Sequence, residues 1–190
     1  MPPQKATALL VLDMINLFDF VGGRPLARNA LAIVPALSRL RARFDRAGAP
    51  VVYVNDNFTC WQGEFSDLVA RCLDAGGIPA AIAGELRPRP RHYYILKPKH
   101  SAFLATALPV LLAKLGVRRV VVAGLAADSC VLATAQDANM REYAVWVPGD
   151  CVAAQSEARR DGALALLEES IGAHVAGSTR VPGLFPGRRR

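Results

Sequence analysis

Asp13, Lys97 and Cys130 are three residues of this chain whose types, taken together, could break an acyl bond. Cys130 closes the run GLAADSC at 124–130, where a valine-rich strand gives way to a helix-like stretch. A thiol attacks only as its thiolate. At a helix start it feels the positive end of the helix dipole and the free backbone amides, and a neighbouring ammonium such as Lys97 would lower its pKa further. A carboxylate close to both, Asp13, could take the thiol proton and later return it to a leaving amine, which is what acyl transfer from a C–N bond requires. The amides where GLAAD turns into the helix could hold the oxyanion of a tetrahedral intermediate. This chemistry needs no histidine.

Each of the three residues alone has a plain structural explanation. Free cysteine is among the most buried residue types, an aspartate caps turns, and a lysine ends a strand in solvent. Their coincidence is what counts, and it depends on the elements that carry them. Apolar runs rich in β-branched and aromatic residues occur at 7–13 (TALLVLD), 50–56, 92–97, 119–124 and 143–149, with a weaker one at 173–178 (AHVAGS). They read as strands buried on both faces. Between them, 26–48, 66–74, 101–115, 128–141 and 155–170 read as helices. Leu31, Val34, Leu37, Leu40, Arg41 and Phe44 recur at near-helical spacing in the first of these, and Gly48 stops it. Ser101 and Asp128 are expected N-caps. The alternation implies an α/β fold, a parallel sheet of about six strands with helices on both faces. Ligands collect at the carboxyl ends of the strands in such a sheet. Asp13 ends the first strand, Lys97 ends the third, and Cys130 follows the fourth.

The chain has 190 residues, half of them apolar, which suits a single domain over 1–190. The opening lacks the charged, apolar and small-residue succession of a secretory signal, and no run reaches the ~18 apolar residues of a membrane helix. A soluble, cytoplasmic protein with no membrane partner is expected. The net charge of +7 comes from short arginine clusters (87–91, 118–119, 188–190) without interleaved aromatics, so no nucleic-acid partner is expected, and 182–190 reads as a disordered basic tail. Cys60, Cys72, Cys130 and Cys151 show neither CxxC pairing nor interleaved histidines and read as free thiols. His92, His100 and His174 show no ligand spacing and read as strand or surface residues.

VLDMINLF at 11–18, LKPKHSAF at 96–103 and VAGLAADSCVLATAQDANMREYAVWVPGDCVAA at 122–154 resemble the three sequence blocks of the isochorismatase-like cysteine hydrolases, in that family's order. The resemblance spans roughly residues 6–178 and implies a Rossmann-like sheet. Carried over by position, it makes Asp13 the general base, Lys97 the cation that settles the thiolate and the developing charge, and Cys130 the nucleophile. It also implies a cis peptide between Leu125 and Ala126, with the amides of Ala126 and Cys130 as the oxyanion hole. Family members bind small amide, carbamoyl or ureido substrates and commonly form dimers or tetramers. Metal-binding nicotinamidases carry Asp-x-His after the second strand. Here Asp56 is followed by Asn57 and Phe58, so neither a metal nor a cofactor is expected and nicotinamide is disfavoured. Having Cys130 favours amide or ureido cleavage over the vinyl-ether hydrolysis of isochorismatases proper. That second reading, in which Asp13 and Lys97 work without the thiol, stays open here, as does a non-catalytic binding subunit. Asn16, Phe18, Asn57, Phe58, Trp61 and Phe103 are candidates for lining a small substrate pocket, the aromatics giving shape and the amides hydrogen bonds.

Overall fold

The computed structural model describes residues 7–57 and 62–187. Five strands, β1 (Thr7–Leu12), β2 (Val51–Asp56), β3 (Tyr93–Lys97), β4 (Arg119–Gly124) and β5 (Ala144–Trp146), form one parallel sheet in the order β3-β2-β1-β4-β5. β1 sits in the centre and is buried along its whole length. Its side chains alternate in destination as a strand requires. Leu9 and Val11 join the core under α1 (Gly23–Arg46), α2 (Phe65–Asp74) and α3 (Gly77–Leu86). Ala8, Leu10 and Leu12 join the core under α4 (Leu108–Lys114), α5 (Leu132–Met140) and α6 (Glu157–Ile171). Both faces are therefore covered, which explains why the strands read as unbroken apolar runs.

Helix α1 buries Leu26, Ala30, Ile33, Val34, Leu37, Leu40 and Phe44 along one stripe. Leu31, expected on that stripe, is 38% exposed. Arg41 is buried among the apolar residues because its guanidinium donates to the Tyr53 hydroxyl (3.1 Å) and the Glu85 carbonyl (3.1 Å). Each fully buried leucine on the stripe contributes roughly 1.5–3 kcal/mol. Gly48, at φ 62°, ends the helix region as expected.

Several sequence expectations are corrected. The sixth strand is a single parallel bridge, Trp146 to His174, because only His174 reaches the β5 backbone, donating to Val145 O (3.0 Å) and accepting from Val147 N (2.8 Å). The helix expected over 101–115 is regular only from Leu108. Ser101 and Thr106 hydroxyls accept from the amides of Phe103 (3.1 Å) and Leu108 (3.2 Å), offering that backbone a turn in place of a helix. Ser101 therefore caps no helix. Helix α3, rich in glycine and alanine, was not expected at all. The disordered tail is also corrected in part: Phe185 packs edge-on against Trp146 (6.3 Å) and His174 (5.7 Å), with the Arg119 guanidinium 5.5 Å from its ring centre. Residues 188–190 lie outside the described residues. Among the described residues no helix is long and apolar enough to cross a membrane.

Parallel register brings the strand ends to one edge. Leu12 stands beside Val54 on one side and Gly124 on the other, while Asp56 stands beside Lys97. Gly124 has φ 109°, and a Cβ there would collide with the Leu12 backbone oxygen, so only glycine allows β4 to close against β1 at this point.

Candidate active site

Asp13 is the first residue past β1, and its backbone takes φ 51° while its amide donates to Val54 O (3.0 Å). Positive φ is uncommon outside glycine and least costly for Asp and Asn. It turns the carboxylate back over the strand ends. There Oδ1 accepts the Asp56 amide (2.6 Å) and Oδ2 meets Lys97 Nζ at 3.0 Å. Lys97, at the end of β3, is fully buried. Its Nζ also lies 3.8 Å from Asp56 Oδ2 and donates to Cys130 Sγ at 3.4 Å. The Asp13 charge acts on the cysteine thiol as well. The three residues picked from the sequence thus converge on one point.

Cys130 rides on a π-helical turn, Ala127–Val131, that precedes α5. Val131 N reaches back five residues to Ala126 O (3.1 Å), and Ala127 N is held by Ala153 O (2.8 Å). Such single π turns widen a helix start and recur at functional sites. Asp128 is not the N-cap expected. The helical turn starts after Ala126, and the Asp128 carboxylate instead pairs with Arg159, which also holds Gln155. The expected cis peptide is corrected too: Leu125–Ala126 is trans. The turn after β4 is made at Gly124, Leu125 N still donates to Leu12 O (3.0 Å), and Ala126 is extended (φ −85°, ψ 143°), so the path is completed without a bond that costs ~3–4 kcal/mol.

The electrostatics differ from a standing thiolate. Burial, with the Asp13 charge adding to it, pushes the Cys130 thiol up to about 12, and the Lys97 ammonium offsets only part of this. Burial also raises Asp13 above the usual carboxylate range despite the opposing pull of Lys97. Lys97 is raised as well: burial works against its charge, and the Asp13 and Cys130 charges outweigh burial. At neutral pH the site therefore holds a neutral thiol beside the Lys97 ammonium, with Asp13 shifted toward its protonated form.

The pocket candidates divide. Asn16 is buried, its Oδ1 accepting the Phe18 amide (2.7 Å), and Phe18, at φ 58°, borders an open cleft of about 580 Å³ with Arg24, Arg28 and Ile78. Asn57 follows β2 at the same edge as Asp56. Phe103 is a packing residue, buried with its ring stacked on Tyr143 (6.0 Å) and under the Arg141 guanidinium (5.1 Å). Phe58, Trp61 and Cys60 lie outside the described residues. His100, read from the sequence as a surface residue, stands with Nδ1 3.7 Å from Cys130 Sγ and 3.2 Å from Ser129 Oγ. Its place three residues after Lys97, inside the second sequence block, was the available signal.

The Isochorismatase domain profile matches residues 7–180. An uncharacterized isochorismatase family protein, YaaI of Bacillus subtilis, is 38% identical over 168 residues, covering 88% of this chain and 92% of that protein. Ureidoacrylate amidohydrolase RutB of Acinetobacter baylyi is 26% identical over 174 residues, 73% of this chain and 67% of the enzyme. Among solved structures, N-carbamoylsarcosine amidase of Thermoplasma acidophilum superposes with a TM-score of 0.72 at 34% identity, over 93% of this chain and 99% of that one. The fold is shared with the Staphylococcus aureus nicotinamidase SaPncA (TM-score 0.69, 22% identity, 90% of this chain and 99% of that one).

Proposed function

The chain belongs to the isochorismatase domain family, and from that premise we propose that it is a cysteine hydrolase cleaving a C–N bond of a small amide, carbamoyl or ureido compound through a thioester. The observation that carries this reading is the convergence of Lys97 Nζ on Asp13 (3.0 Å) and Cys130 (3.4 Å). On substrate binding the Cys130 proton passes to Asp13 as sulfur attacks the carbonyl carbon, and Lys97 faces both anions throughout. Collapse of the tetrahedral intermediate breaks the C–N bond, and Asp13 gives its proton to the departing nitrogen. Water then adds to the thioester, releasing the acid and restoring the thiol. The amides of Ala126 and Cys130 are assigned to the oxyanion. Asn16, Phe18 and Asn57 are assigned to the pocket wall, with Phe58 and Trp61. The names of the amidohydrolase relatives support the bond class.

A screen of small primary amides, carbamoyl and ureido compounds for ammonia release tests the proposal. Activity should be present in the wild type and lost in Cys130→Ala, and iodoacetamide should modify Cys130 by mass spectrometry. Full activity in Cys130→Ala refutes the thioester.

A further inference from the structure

The thiol has two sides. On the inner side stand Lys97, fully buried, and Asp13, 5% exposed, with Asp13 Oδ1 taken by the Asp56 amide and Oδ2 by Lys97. On the outer side stands His100, exposed, its Nδ1 3.7 Å from Sγ. The segment that carries it is tied down. Ser101 Oγ donates to Asp137 Oδ2 (2.6 Å) and Thr134 Oγ1, fully buried, accepts the Ala102 amide (3.0 Å). Both partners lie on α5, the helix that continues the Cys130 turn. The imidazole is thereby fixed to the same rigid element as the sulfur, and Ser129 Oγ at 3.2 Å orients its Nδ1.

Resting on the thioester reading, we propose that His100 is a catalytic base for deacylation, serving water that arrives from the exposed side. The incoming water takes the place of Ser129 Oγ at Nδ1, which accepts a proton from it as the water oxygen bonds to the thioester carbon. The tetrahedral intermediate then expels sulfur, the C–S bond breaks, and the imidazolium returns the proton to Sγ. No net proton or electron is gained or lost. Asp13 serves the first half of the cycle and His100 the second, and a general base in this position contributes on the order of 10²–10⁴-fold.

p-Nitrophenyl acetate separates the halves, because its phenolate leaves without needing a proton and its release as a burst reports acylation of the enzyme. His100→Asn places an amide nitrogen near Nδ1 and keeps a hydrogen-bonding partner for Ser129 but cannot accept a proton. The expected result is a burst of wild-type rate and amplitude followed by a steady-state rate about 100-fold lower in both His100→Asn and His100→Ala, with added imidazole restoring the slow phase in His100→Ala. A slow phase within threefold of wild type in His100→Asn overturns the proposal, as does an equal fall of burst and slow phase, which marks a structural role. A wild-type burst that persists in Cys130→Ala removes the thioester reading and this inference with it, whereas a burst abolished in Cys130→Ala leaves any failure to His100 alone.

Discussion

Replacing Asp13 by Asn should destabilise the protein as well as silence it. Lys97 is fully buried, and its carboxylate at 3.0 Å is the nearer of two; the other, Asp56, lies at 3.8 Å on a side chain 40% exposed. Removing one partner of a buried pair costs roughly 3–5 kcal/mol, because the remaining charge is stranded away from water. Asp56 retains part of the attraction, which places the cost near the low end, at about 3 kcal/mol. For a domain of this size each kcal/mol moves Tm by about 2–4 °C, so the midpoint should fall by about 6–12 °C. The decisive assay adds Lys97→Met to the Asp13→Asn background and follows thermal unfolding by circular dichroism. An apolar side chain of similar volume removes the stranded charge, so the double variant should regain most of the lost stability while remaining inactive. A double variant less stable than Asp13→Asn alone would refute the placement of a charged Lys97 in the interior, and an Asp13→Asn midpoint within about 2 °C of wild type would refute the pairing.

Three further outcomes are expected. Lys97→Ala should slow iodoacetamide alkylation of Cys130 at fixed pH and move its pH profile upward, since the ammonium lowers the thiol pKa; an unchanged profile removes Lys97 from the mechanism. Stability should fall as pH rises above about 9, the unfolded thiol value. Cys72 (pushed up to about 11), Cys130 (about 12) and Cys151 (raised further), each mainly by burial, keep their protons in the fold, so their contribution is complete below that pH and lost as pH climbs toward the folded values. The slope, read from urea midpoints, should approach about 1.4 kcal/mol per pH unit per thiol, and Cys72→Ala should flatten it. Phe185→Ala should cost about 1–2 kcal/mol and shift Trp146 fluorescence, because the ring caps the indole edge-on; unaltered emission would mean that 182–187 does not dock.

The parallel sheet was legible because β1, β2 and β4 are unbroken apolar runs, and a strand buried on both faces needs nothing else. Asp13 and Lys97 were legible as strand ends for the same reason. What escaped depended on contacts between distant segments. β3 and β4 are separated in the sheet by β2 and β1, so the return of the stretch 97–103 over the edge to α5, which sets His100 beside Cys130, was signalled only by the place of His100 three residues after Lys97. Asp128 looked like a cap because its type suits one, but Arg159, 31 residues away, claims the carboxylate. Ser101 failed as a helix start because its own hydroxyl offered the backbone a tighter turn.

The thiolate expectation failed for a reason that bears on mechanism. A helix start and a lysine both favour the anion, yet the site also removes water from the sulfur and places a carboxylate against it, and burial is the largest influence on Cys130 and on Asp13 alike. A penalty common to both groups does not oppose moving the proton from one to the other. With Asp13 ionised, the three groups carry one negative and one positive charge before the transfer and the same afterwards, so the desolvation cost largely cancels across the step. What remains is the position of the cation. Lys97 Nζ lies 3.0 Å from the Asp13 oxygen and 3.4 Å from Cys130 Sγ. At an effective dielectric of about 20 the difference in attraction is only about 0.6 kcal/mol. A buried cation nearly equidistant from two acceptors lets the proton pass between them at little electrostatic cost. The neutral thiol at rest is then compatible with rapid attack once a carbonyl is bound.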